Sequence, residues 1–95
     1  MAEAIWGSIT SQIIRKNCGS PAINYVFSDV SNSILIDNSI SGAGNIFFNF
    51  DQTANSGSTS GFMNGGTTLE IDLRCGSVSI QGSGTSHSVQ VIRIT

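Results

Sequence analysis

The 95-residue chain predicts an all-β fold, a small antiparallel β-sandwich or jelly-roll-like barrel of about seven strands. Three observations carry that expectation. Apolar residues recur two apart in four runs of the second half, at 44–50, 68–74, 76–81 and 86–94, which is the period of a strand and not of a helix. Eleven glycines, together with clusters of Ser, Asn and Thr, interrupt those runs at short intervals, as turns between strands do. A long helix needs a Gly-free stretch with helical periodicity, and none is present.

Taken in order, residues 1–8 read as an N-terminal arm that must dock somewhere, because Ile5 and Trp6 are too apolar to leave in water. Residues 9–95 read as a single β-sandwich domain. A first strand is expected over about Ser8 to Arg15, followed by a turn through Lys16 to Pro21. Ala22–Phe27 and Asn32–Asp37 read as strands separated by the polar break Ser28-Asp-Val-Ser31. Asn38–Gly44 is a glycine-bearing connection. In the strand that follows, Ile46, Phe48 and Phe50 point inward and Asn45 and Asn49 outward. Phe47 breaks the alternation and implies that the outer face is covered too.

The longest loop is expected from Gln52 to Gly66, with Phe62 and Met63 as apolar residues set among polar ones. They either cap one end of the core or form part of an interaction surface. Over 68–74, Leu69, Ile71 and Leu73 share the core face, while Glu70, Asp72 and Arg74 share the other, where the acids pair with the arginine. In the last strand Val89 and Val91 lie on one face and Ile92 and Ile94 on the other. That change of phase predicts a β-bulge or a switch between sheets. The predicted core is Leu69, Ile71, Leu73, Val78, Ile80, Val89 and Val91.

Composition argues against most kinds of chemistry. A formal net charge of −2 and 11% charged residues provide no electrostatic footprint for nucleic acid. The opening residues lack the basic region of a signal peptide, and the apolar runs are too short for a membrane span. Cys18 and Cys75 are expected as two buried or half-buried thiols in a reducing cytoplasm, not as a disulfide. His87, the only histidine, reads as a solvated strand-end residue with no partner for a metal site. No nucleophile elbow, calcium loop or phosphate loop is recognisable. The expectation is therefore no catalytic residue, no metal and no cofactor, and a function carried by surface and shape. A small carbohydrate-binding module is the alternative that composition leaves open, although Trp6, Tyr25 and the phenylalanines lie mostly where core packing is the default.

Five stretches, in order, resemble a widespread kind of small phage and prophage virion protein. They are Ile34-Leu-Ile-Asp-Asn38, Ile46-Phe-Phe-Asn-Phe-Asp51, Ser60-Gly-Phe62, Gly66-Thr-Thr-Leu-Glu-Ile-Asp-Leu-Arg74 and Gly84-Thr-Ser-His-Ser-Val-Gln-Val-Ile92. Ile5-Trp-Gly-Ser-Ile9 is similar to openings of phage tail and fibre proteins. The chain departs from the pattern at Met63-Asn64, where an aliphatic pair is usual, and its first 30 residues have no counterpart. The resemblance implies a virion structural protein made in the host cytoplasm. Its first form is a head decoration or cement protein bound to the major capsid protein, and its second a tail or fibre component. It also implies a homo-oligomer, with a trimer as the usual form. A domain of this size buries only about two thirds of its unfolded surface, so association would add stability. The expected contact residues are Ile5, Trp6, Phe62 and Met63.

Overall fold

Eight strands alternate with turns in the computed structural model, which describes residues 11–19, 21–40, 44–57, 60–82 and 87–94. They are β1 (Ser11–Cys18), β2 (Ile23–Val26), β3 (Ser33–Asn38), β4 (Ile46–Phe50), β5 (Gly61–Met63), β6 (Thr67–Ile71), β7 (Ser77–Gly82) and β8 (His87–Ile94). Pairing is nested: β1 with β8, β2 with β7, β3 with β6 and β4 with β5, all antiparallel. Rolling up such a chain gives two four-stranded sheets, β1-β8-β3-β6 and β2-β7-β4-β5. This is the double-sheet jelly roll. The strand beyond the expected seven is β5, which lies inside the segment expected as loop.

The core fills the space between the sheets. Ile34, Ile36, Val89 and Val91 enter from one sheet and Tyr25, Ile46, Val78 and Ile80 from the other, all fully buried. Leu69 and Ile71 are only half-buried because β6 is an edge strand, and Leu73 packs beside them beyond its end. Glu70 and Asp72 are exposed on the opposite side, as the alternation predicts.

Two expectations about strands are corrected. β1 continues through Cys18, with Lys16 inside the strand and not in a turn. β8 has no bulge: its register runs unbroken against β1 from Ile94 to His87 and against β3 from Ile94 to Gln90. His87, Val89, Val91 and Arg93 all face the interior. Ile92 and Ile94 face outward not because the strand shifts phase but because an arginine takes the inward position between them.

Polar side chains lock the two ends. At one end Ser31 donates to the Leu73 carbonyl and accepts from the Cys75 amide at 3.1 Å, joining the β2–β3 and β6–β7 connections. At the same end Asp51 adopts φ 56°, a left-handed conformation that Asp tolerates better than most residues. Its carboxylate accepts from the Gly76 and Ser77 amides at 3.0 and 2.9 Å, fixing the start of β7. At the other end Asn38 donates to the carbonyls of Gly44 and Asn64 at 2.9 and 3.2 Å.

Candidate interaction surfaces

The outer face of the β1-β8-β3-β6 sheet carries three rows set by strand register. Ser11, Ile94 and Ser33 form the first, Ile13, Ile92 and Leu35 the second, and Arg15, Gln90 and Asp37 the third. Ile13 is 62% exposed and Ile94 37%, while Leu35 and Ile92 are half-buried by their neighbours. Arg15 lies along its row, with Nε and Nη2 donating to Gln90 Oε1 at 3.3 and 2.8 Å. Asp37 is held below the usual carboxylate range, first by hydrogen bonds from the Ser39 hydroxyl and amide and, in smaller part, by the charge of Arg15.

The outer face of the other sheet is built differently. The chain after Asp51 folds back across it, so that Ala54 is buried and its amide donates to Ser79 Oγ at 2.9 Å. Ser79 points away from the core yet is only 2% exposed. Beside this covered region the rings of Phe47 and Phe62 pack at 5.4 Å between centroids, tilted by 56°. The partner of Phe47 on β7 is Gln81. Phe62 stays 52% exposed.

The interior polar groups serve the fold. Tyr25 crosses between the sheets, its hydroxyl donating to the Val89 carbonyl at 2.8 Å with the Lys16 carbonyl at 3.2 Å. The Cys18 thiol meets the same hydroxyl at 3.1 Å. Burial raises both the Cys18 thiol and the Tyr25 hydroxyl above their ordinary values, which keeps them protonated and unreactive. Cys75 is likewise raised, chiefly by burial. Cys18 lies by the Gly82 end of β7 and Cys75 by its Ser77 end. That strand spans roughly 17–20 Å, well beyond disulfide reach, and both thiols are free.

His87 corrects the expectation of a solvated residue. It is 8% exposed, and its Nε2 meets Asn38 Oδ1 at 3.0 Å. Because the Asn38 amide nitrogen donates to two carbonyls, its oxygen accepts from His87, which places the proton on Nε2. Arg93 is 4% exposed, and its buried Nε makes no hydrogen bond among the described residues. Among the described residues no three of His, Cys, Asp and Glu come together as a metal site would require.

Of the expected contact residues, Ile5 and Trp6 lie outside the described residues. Phe62 is on the surface. Met63 is not: it is 7% exposed and pairs with Ile46 inside the core, because residues 61–63 form a strand and adjacent side chains of a strand take opposite faces. The outward aliphatic cluster of Ile13, Leu35 and Ile92 in one row and Ile94 in the next is not evident from any single stretch of sequence. Its signal was the adjacent aliphatic pairs Ile13-Ile14, Ile34-Leu35 and Val91-Ile92, each of which puts one residue on either side of the sheet. No protein-family model matches this chain, and no characterised protein matches it in sequence.

Proposed function

We propose that this protein is a structural component of a phage virion, a capsid decoration (cement) protein that binds the outside of the head through the major capsid protein. The observation that supports this most is the exposed Phe62 ring, held against Phe47 by the β4–β5 pairing. An aromatic fixed on rigid strands loses little entropy on docking and excludes water over a large area, which suits the centre of a protein contact. Ile5 and Trp6 are proposed as further contact residues on the strength of their apolar character alone. The mechanism is mechanical, since each bound copy adds buried area across neighbouring capsid subunits and so raises the work needed to separate them. The fold agrees with this role, because jelly rolls serve in viral capsids, and also with lectins.

The test is co-sedimentation of the purified protein with phage heads that lack it. Binding that weakens at least tenfold in Phe62→Ala or Trp6→Ala, with the variants still folded, supports the reading. Binding to tails alone transfers the protein to the tail or fibre, and binding to neither particle refutes a virion role. A second reading rests on the same ring, since exposed aromatic rings are also how sugars are stacked and held. Retention of a glycan by the parent and not by Phe62→Ala, without particle binding, would establish it.

A further inference from the structure

We infer that the outer face of the β1-β8-β3-β6 sheet is a two-fold contact between copies of this chain, with the symmetry axis running along β8. The reasoning begins with register. β1 and β3 flank β8, each about 4.8 Å away. Positions at equal distance on either side of β8 carry Ser11 and Ser33, Ile13 and Leu35, Arg15 and Asp37. The three pairs are small polar with small polar, aliphatic with aliphatic, and cation with anion. A two-fold rotation about an axis lying in this face along β8 exchanges the β1 and β3 positions and brings the two faces together. Ile13 then lies over Leu35 of the second copy, Arg15 over its Asp37, and Ile92 and Ile94 over their own counterparts. The face is its own complement.

Charge decides the occupant. A face built for an unrelated partner has no reason to hold opposite charges at symmetric positions, whereas an isologous contact requires each patch to complement itself. Glu70, in the same row as Leu35 but one strand further out, falls outside the overlap of the three strands and meets no like charge. Arg15 is already oriented by Gln90, and Asp37 is kept ionised by Ser39, so neither group has to change its state to pair. Twist limits close packing to the central strands, and the three strands share five positions, which gives a patch of about 14 by 17 Å per copy. Such a pair buries less than the ~1,200 Å² of a standard stable complex, so the dimer is weak alone and gains from any larger assembly that holds two copies together. The inference concerns the isolated protein and does not rest on the virion reading.

The experiment is sedimentation equilibrium of the purified chain over a concentration series, with circular dichroism to show that each variant keeps the parent fold. The parent should follow a monomer–dimer equilibrium. Arg15→Asp alone and Asp37→Arg alone each place two like-charge pairs in the dimer and should raise its dissociation constant at least tenfold. An equimolar mixture of the two variants restores both opposite-charge pairs, so it should form a heterodimer at concentrations where each variant alone is monomeric. Ile13→Ser, at an exposed edge position that leaves folding intact, should also weaken the dimer. A monomeric parent at all concentrations overturns the proposal. So do a trimer indifferent to the charge reversals, a mixture that fails to associate, and a dimer that appears only after residues 1–10 are removed.

Discussion

The two outer faces of the sandwich meet the same problem and resolve it differently. Each has residues that do not belong in water, Phe47 and Ala54 on one side and Ile13, Leu35 and Ile92 on the other. On the first side the protein covers part of the face itself: the chain after Asp51 turns back, buries Ala54 and seals Ser79 beneath it, while Phe62 and Val26 toward the edges stay exposed. On the second, Ile13 keeps 62% of its surface exposed at the edge strand. Outward burial in a jelly roll is therefore not a property of the strands. It depends on whether a connection is long enough to return across the face, as the segment between β4 and β5 is. Substitutions beneath the covering segment of the first face, at Ala54 or Ser79, should cost folding stability, whereas the exposed Phe62 should tolerate change without unfolding. Substitutions on the second should cost association.

The largest effect is expected at Asp51, on which the covering segment depends. Asp51→Ala removes the bonds to the Gly76 and Ser77 amides and leaves a β-carbon at φ 56°, and should cost about 2–4 kcal/mol in urea unfolding. Asp51→Gly relieves the backbone and loses the same bonds, so the difference between the two variants separates strain from hydrogen bonding. If both unfold at the parent midpoint, the covering segment is not held in this way.

A sharper comparison sets one small residue on each face side by side. Ser79→Ala leaves the buried Ala54 amide without its acceptor and should cost about 1–2 kcal/mol. Ile13→Ser removes far more apolar surface but from an exposed site, and should stay within about 0.5 kcal/mol for the monomer. The reverse order would mean that the β1 face is covered and the β7 face is open.

The smallest effect is a dependence on pH. Asp37 is held below the ordinary carboxylate value, about 3.9, by Ser39 first and Arg15 last among its causes. A folded value below the unfolded one contributes stability that is fully present above the unfolded value. That contribution is lost as pH falls through the folded one. Asp37→Asn should therefore leave the midpoint at pH 7 slightly lower and flatten the decline below about pH 4, as read by thermal melts across that range.

Much of the fold was legible because strands announce themselves by period two, and seven of the eight lie where alternation or turn residues place them. β5 was not, since three residues in a Ser- and Gly-rich stretch carry too short a pattern to separate from a loop. There the structure selects Gly61 by contact, as any β-carbon would fall 2.3 Å from the Phe48 ring. Met63 followed from the same miss, because its direction is fixed only once residues 61–63 are known to form a strand. The candidate surface was half legible. Phe62 stood out as apolar among polar residues, but the aliphatic row of β1, β8 and β3 is made of residues far apart in sequence that only register aligns. Ile92 looked like an interrupted pattern because sequence cannot tell an inward arginine from a phase change. Local periodicity determined that these segments are strands and which residues alternate within each. Which alternate face meets the core, which meets a returning loop and which is left bare was decided by the nested pairing of the jelly roll, because those are relations between segments and not properties of any one of them.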